Sequence, residues 1–303
     1  NTDFLVKTAN TSIEYTKNAS SFKFFYGYLQ KDFGAASFYS TLFPNEEEHT
    51  KTNFVYLKGK QILTDNMHIE SNIYYREHYD NFILDRTRPS FYENFHTTYV
   101  KGADIYFFKD NESFIWNAGI NIDRSKIKSS TLGEHKRDHY SLSTESHWNK
   151  NDNIFFQINA RWDSFEGFSD AFAGSFGISS LLSKNCRFRA GVESSFRIPS
   201  FTELYYRSPA NTGNENLDKE KNNGIELGAE YFRKNFNSSI NIFYRKGEDI
   251  IDWVKNEEGA PWRSENIKEI DFRGVELKIK KKFHSSGKVF YPDNVKFYYS
   301  YLE

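Results

Sequence analysis

Cysteine is almost missing from this chain. Cys186 stands alone among 303 residues, which excludes an internal disulfide framework and a cysteine-rich zinc site. Net charge is nearly missing too: at −1, no global field draws the chain to nucleic acid. No run of about 18 apolar residues occurs, so no transmembrane helix is encoded. The hydrophobic share is 38%, below the roughly 45–50% usual in soluble domains, and it disfavours an ordinary large core. Enzyme signatures are lacking as well. There is no G-x-S-x-G, no phosphate-cradling G-x-x-x-x-G-K and no G-x-G-x-x-G. His135 and His139 in HKRDH stand four apart, but the intervening glutamate of a zincin is absent and the segment reads as loop and strand. No D-x-D-x-D-G calcium loop occurs. The expectation is a chain that is not an enzyme, with no catalytic residue, no metal and no cofactor.

Aromatics are what the chain has in abundance. With 30 Phe and 20 Tyr it is no disordered polymer. They sit in period-two runs, the mark of strands with one apolar and one polar face. Ile154, Phe156, Ile158, Ala160 and Trp162 alternate with Phe155, Gln157, Asn159, Arg161 and Asp163. Phe114, Trp116, Ala118, Ile120 and Ile122 alternate with Asn117, Gly119, Asn121 and Asp123. Phe188, Ala190, Val192 and Phe196 oppose Arg187, Arg189, Gly191, Glu193 and Arg197. Ile225, Leu227, Ala229 and Tyr231 oppose Gly224, Glu226, Gly228 and Glu230. Such runs add up to about 14 strands, and no helical period competes with them.

Connections of two sizes alternate. Short polar turns fall near 17–20, 64–66, 109–112, 149–152, 183–185 and 233–237. Long segments fall near 32–47, 80–95, 123–136, 164–170, 198–221 and 247–266. A meander with short turns at one end and long loops at the other is an up-and-down β architecture. In outer-membrane barrels the short turns are periplasmic and the long loops external. Apolar-out, polar-in strands suit a wall between lipid and a wet lumen, and aromatics near strand ends (Tyr28, Phe33, Phe107, Phe108, Trp148, Phe196, Phe232 and Phe283) suit interfacial girdles. Sandwiches and propellers also alternate. The long charged residues at mid-strand and the lack of a 40–50-residue repeat disfavour both.

The stretch FRIPSFTELYY, followed by GNENLDKEK and GIELGAEY, resembles the late barrel of TonB-dependent outer-membrane receptors. The matching positions are Arg197, Pro199, Glu203, Leu204 and Tyr205, then Gly213, Asn214, Leu217 and Glu220, then Glu226, Leu227 and Gly228. Lys219 stands where the family usually has proline. NIKEIDFRGVEL resembles a further family strand through Asn266, Gly274 and Glu276. GYLQKDFGAASFYSTLFP, at 27–44, resembles the cobalamin-receptor-like branch.

The resemblance implies an all-β, antiparallel transmembrane barrel of 22 strands, of which residues 1–303 form one partial domain of about 14. The plug, the leading strands and the last strands are then expected outside this sequence. It implies an outer-membrane location and TonB-driven uptake of a large, scarce nutrient. A corrinoid comes first and a ferric siderophore second. The implied partners are outer-membrane lipid, TonB acting through the plug, and the corrinoid or iron-chelate ligand; nucleic acid is not among them. A passive porin-like barrel and a soluble all-β glycan-binding protein are the competing readings.

Candidate ligand contacts lie in the long segments. They are Asp32, Phe33 and Tyr39; Arg86, Arg88, Phe91 and Tyr92; Tyr205, Tyr206 and Arg207; and Trp253 and Trp262. Flat aromatic faces suit stacking on a planar ligand, and guanidinium groups suit anionic ones. Pro199 is expected to end its strand, since it cannot donate to the ladder. Asn211, Gly213 and Asn214 are expected to supply left-handed backbone. Arg197 and Glu203 are expected to pair at the base of the loop.

Overall fold

The structure is a computed structural model that describes residues 3–35, 42–151, 153–208, 210–255, 257–283 and 292–303. Ten antiparallel strands follow one another: β1 (Phe4–Lys17), β2 (Ser20–Gly34), β3 (Glu47–Thr64), β4 (Met67–Ile83), β5 (Glu93–Asn111), β6 (Phe114–Ser129), β7 (Gly133–Asn151), β8 (Ile154–Phe165), β9 (Ala171–Ser183) and β10 (Cys186–Arg197). A short helix, α1 (Phe201–Tyr205), and a two-residue strand, β11 (Asn211–Thr212), come next. The meander then resumes with β12 (Glu220–Arg233), β13 (Phe236–Val254), β14 (Trp262–Lys282) and β15 (Asn294–Leu302). Each long strand pairs with its neighbour in sequence, β10 pairs with β12 across the inserted segment, and β11 lies parallel to β14. Fourteen long strands thus make one up-and-down sheet, the count read from the period-two runs.

The two faces have opposite chemistry. Ile120 is 55% exposed and Leu142 50%, and large apolar side chains of the same face continue from strand to strand. Register places Ile120 opposite Leu142, Leu142 opposite Trp162, Ile158 opposite Phe176, Phe176 opposite Val192, and Val192 opposite Ile225. Among the described residues no second sheet packs on this continuous apolar belt. The other face is laced with ion pairs: Lys58 to Glu70 at 2.6 Å, Arg161 to Asp163 at 2.8 Å, and Arg189 to Glu230 at 3.3 Å. A sheet that shows hydrocarbon outward and charge inward is a membrane wall, because ladders satisfy every backbone group that lipid cannot. No helix among the described residues is long and apolar enough to cross a membrane.

The strands are longer than crossing requires. β14 has 21 residues, whereas about 9–11 span the hydrocarbon. The surplus projects on the long-loop side. Two of the long segments expected there are therefore largely strand. At 123–136, β6 and β7 stay paired up to Ser129 and Gly133. Arg124 donates to Asp138 at 2.7 Å and Lys126 pairs with Glu134 across this extension. At 247–266, β13 and β14 stay paired up to Val254 and Arg263. Above the bilayer both faces meet water, so alternation fades while pairing continues.

Candidate functional site

The site is built on the segment between β10 and β12, at the long-loop end. Pro199 is fully buried where β10 stops. Ser200 then caps α1: its hydroxyl accepts from the Glu203 amide at 3.2 Å, and the Glu203 carboxylate accepts from the Ser200 amide at 2.7 Å. This reciprocal box satisfies two donors that a helix start leaves orphaned. Arg197 locks the unit. Its guanidinium donates to Glu203 at 2.9 and 3.0 Å and to Glu220 at 2.7 and 2.5 Å. Glu220 also accepts from the Ile251 amide at 2.7 Å, which carries the lock to β13. Burial pushes the Glu203 carboxyl up, but Arg197 and Ser200 outweigh it and hold the group below the ordinary glutamate range.

A small core sits beside this lock. Leu204, Leu217 and Ile251 are buried together, with Phe168 and Tyr205 against them. Gly213 makes the packing possible by close approach. A Cβ there would lie 2.8 Å from the Leu204 carbonyl and the Tyr206 nitrogen. The left-handed backbone expected at Asn211, Gly213 and Asn214 is not adopted. Among the described residues the positive φ angles outside glycine are at Asn18 and Asp249. Tight contact, rather than a tight turn, is what demands glycine here. Asn214 instead accepts from the Asn216 amide through its side chain at 3.0 Å.

Three side chains strap this unit to its neighbours. Lys219 donates to the Ser169 and Asp170 carbonyls at 3.2 and 2.5 Å, and so ties it to the β8–β9 loop. This is what stands in place of the usual proline. Ser264 donates to the Glu203 carbonyl at 2.6 Å from β14. Asn266 donates to the carbonyls of Asp218 and of Asp249, where the β13 register skips a residue.

The unit then leans across the sheet. Tyr205 stacks on His135 of β7 with 3.5 Å between ring centroids. Arg137 of β7 is buried between Phe168 and Phe201, 5.0 and 4.9 Å from their centroids. Tyr206 reaches Tyr92, in the loop between β4 and β5. Burial and that hydrogen bond push the Tyr92 phenol up to about 12. Two external segments far apart in sequence thus meet through a pair of tyrosines.

The family model described as TonB dependent receptor-like, beta-barrel matches residues 1–302. The chain belongs to the TonB-dependent receptor family. Its barrel is therefore an outer-membrane one, within a family of receptors and transporters rather than enzymes. Over 165 residues it is 24% identical to the vitamin B12 transporter BtuB of Vibrio vulnificus strain YJ016, covering 53% of this chain and 26% of that protein. The siderophore receptor PirA of Pseudomonas aeruginosa superposes with a TM-score of 0.77 at 14% identity, covering 98% of this chain and 57% of that one. The ferric enterobactin receptor PfeA of Pseudomonas aeruginosa (G324V mutant) gives 0.77 at 13% identity, covering 91% and 49%. The chain thus spans about half the length of the solved receptors it resembles, and that likeness shows the fold alone.

Of the motif residues, Arg197, Pro199, Glu203 and Gly213 lie in or beside the lock, whereas Glu226, Gly274 and Glu276 lie on β12 and β14 away from it. Gly274 follows the logic of Gly213: a Cβ would meet the Phe243 ring at 2.5 Å and the Tyr301 carbonyl at 2.7 Å. Glu276 pairs with Lys278 at 3.5 Å, and Glu226 faces the lumen opposite Phe243. The candidate ligand contacts are scattered more widely. Tyr92, Tyr205 and Tyr206 belong to one cluster. Arg88 pairs with Asp85 at 3.0 Å and lies over Phe91, while Arg86 reaches Asp3 at 3.4 Å. Arg207 is exposed and reaches Glu215 at 3.4 Å. Asp32 and Phe33 are in β2. Asp32 shares the parity of the exposed Phe22 and bonds His49 at 2.9 Å. Trp253 and Trp262 are in β13 and β14, and the Trp262 amide donates to the Ala210 carbonyl at 2.8 Å. Tyr39 lies outside the described residues.

Sequence reasoning missed His135, Arg137, Phe168 and Lys219 as members of this cluster. Nothing local marks them, since each acts on a segment more than 30 residues away. His139 of the HKRDH motif is held between Asp123 at 2.5 Å and Asp163 at 2.7 Å. No metal-binding group of three or more ligands occurs among the described residues.

Proposed function

We propose that this chain is the barrel portion of a receptor that takes up a large, scarce nutrient across the outer membrane, driven by TonB. It makes and breaks no bond. The observation that carries the reading is the folded external cap: the locked α1 segment reaches over to Tyr92, so the long-loop end is organised for capture rather than left open as a pore mouth.

A corrinoid is the first choice of ligand. The sequence relative that covers half the chain is a vitamin B12 transporter. A ferric siderophore is second, in keeping with the fold neighbours. Tyr92 and Tyr206 would present aromatic surface to a flat ligand, with Tyr205 holding the segment on His135, and Arg207 offers an exposed cation. The rest of the receptor supplies the plug that TonB pulls, and further strands that close the edges left at β1 and β15.

The test is uptake of labelled cyanocobalamin and labelled ferric siderophore by cells carrying the full-length receptor, with and without TonB. TonB-dependent uptake of one ligand, lowered by Tyr206→Ala, supports the proposal. Equal entry of small solutes without TonB sinks it in favour of a porin.

A further inference from the structure

The lipid-facing wall of β12–β15 has two rims, and they treat charge differently. At the upper rim the two cations that flank the apolar belt on β13 and β14, Lys246 and Arg273, are neutralised within the chain. Lys246 pairs with Glu269 at 3.0 Å and Glu248 at 3.1 Å, and Arg273 pairs with Glu303 at 3.7 Å. The Tyr244 hydroxyl donates to Asp271 at 2.9 Å. At the lower rim the cations have no such partners. Among the described residues no carboxylate lies within ion-pair distance of Arg233, Lys234, Lys281 or Lys282. The sequence makes a hidden partner scarce: from Lys278 to Lys296 it holds six lysines and one carboxylate, Asp293.

The lower rim is also ordered. Arg233 pairs in register with Phe236, Phe236 with Lys281, and Lys281 with Val295. These four form one row across four strands, on the parity of the exposed Leu227, Ile242 and Tyr299. Strands lie about 4.8 Å apart, so Arg233 and Lys281 flank Phe236 at about 10 Å from each other. The Tyr231 ring lies 6.1 Å from Phe236, and Lys281 lies 5.1 Å from the Phe283 ring. Depth fits as well. Phe236 to Tyr244 is eight residues, about 26 Å along the strand and about 20 Å along the bilayer normal at a tilt near 40°. The row therefore sits where hydrocarbon ends on the short-turn, periplasmic side.

Two cations over an aromatic floor, at the polar boundary of the bilayer and with no anion beside them among the described residues, call for an anion from outside. Behind them Lys280 faces Lys296 directly across β14 and β15, a like-charge pair that raises the local potential. We propose that this face seats an anionic phospholipid of the periplasmic leaflet. Arg233 and Lys281 hold its phosphate, and its acyl chains lie on Tyr231, Phe236 and Phe297.

The test uses the full-length receptor, exchanged into vesicles of phosphatidylethanolamine with either phosphatidylglycerol or phosphatidylcholine, and native mass spectrometry of the lipid retained. Phosphatidylglycerol is expected to be retained in preference to phosphatidylcholine. Each interfacial cation is worth about fivefold, so the double variant Arg233→Gln, Lys281→Gln should lower the preference about 25-fold. The double variant Arg233→Lys, Lys281→Arg should keep it, and Lys246→Gln at the paired rim should leave it unchanged. Equal retention of the two lipids by the unaltered protein overturns the proposal. So does a loss as large in Lys246→Gln, or displacement of the lipid by inorganic phosphate alone. Should the double glutamine variant fail to assemble, a salt series on the unaltered protein decides: a preference that does not fall with rising salt refutes the seat.

Discussion

Replacing Arg197 by Met removes the one group that two carboxylates share. The side chains of Glu203 and Glu220 are each 15% exposed and that of Arg197 is 45% exposed. Breaking a fully buried pair costs about 3–5 kcal/mol, and an exposed pair contributes about 0–1 kcal/mol. This half-exposed arrangement falls between, at about 2 kcal/mol. Glu203 keeps its Ser200 contacts and Glu220 keeps the Ile251 amide, so the loss stays local. At about 1.4 kcal/mol per tenfold, amide exchange should quicken roughly 30-fold at Leu204, Gly213 and Ile251. Amides in β1–β6 should not change, because their ladders share nothing with the lock. The assay is hydrogen exchange on the full-length receptor in detergent or bilayer. Adding Glu203→Gln and Glu220→Gln to the variant should recover much of the protection, since the stranded charges are gone. Unchanged exchange at Leu204 and Ile251, or equal loss across the whole barrel, would refute the reasoning.

Three further outcomes are expected. Gly213→Ala should displace α1, because its methyl meets backbone atoms at 2.8 Å that have no rotamer to yield; exchange across 201–206 should rise by tenfold or more while barrel assembly is kept. Leu142→Arg should destabilise the barrel by about 2–4 kcal/mol, and Ser143→Arg by far less, in denaturant titrations in lipid, because adjacent residues face lipid and lumen. The Glu203 carboxyl is depressed in the folded protein. Its contribution is therefore complete above the ordinary glutamate pKa and is lost as pH falls through the folded value. Exchange of the α1 segment measured down an acid series should quicken only below the ordinary glutamate range, and in Arg197→Met at higher pH than in the unaltered protein.

Much of the barrel was legible beforehand because strand parity is written in every second residue. The runs at 114–122, 154–163, 187–197 and 224–231 each became a strand with the faces they implied. What escaped was the rise of β6–β7 and β13–β14 above the membrane, where water on both faces erases alternation. The site was legible in part. The pairing of Arg197 with Glu203 spans six residues and could be read from the motif. The reach of Tyr205 to His135, of Tyr206 to Tyr92 and of Lys219 to Ser169 could not, since each joins elements that only the curvature of the sheet brings together.

By itself the sequence determined that alternate residues of each strand meet different surroundings, and hence the strands and their order; that the apolar side faces outward as a lipid belt was settled by the sheet carrying it uncovered. Alternation is a property of neighbours along the chain, so it needs no tertiary information. Only the tertiary structure decided that the segment after β10 is a locked cap rather than an open loop. It decided too that Gly213 serves packing rather than a turn, and that Lys246 and Arg273 at one rim are paired while Arg233 and Lys281 at the other meet no carboxylate among the described residues. Those facts depend on which atoms lie within a few ångströms across strands, and separation along the chain carries no record of that.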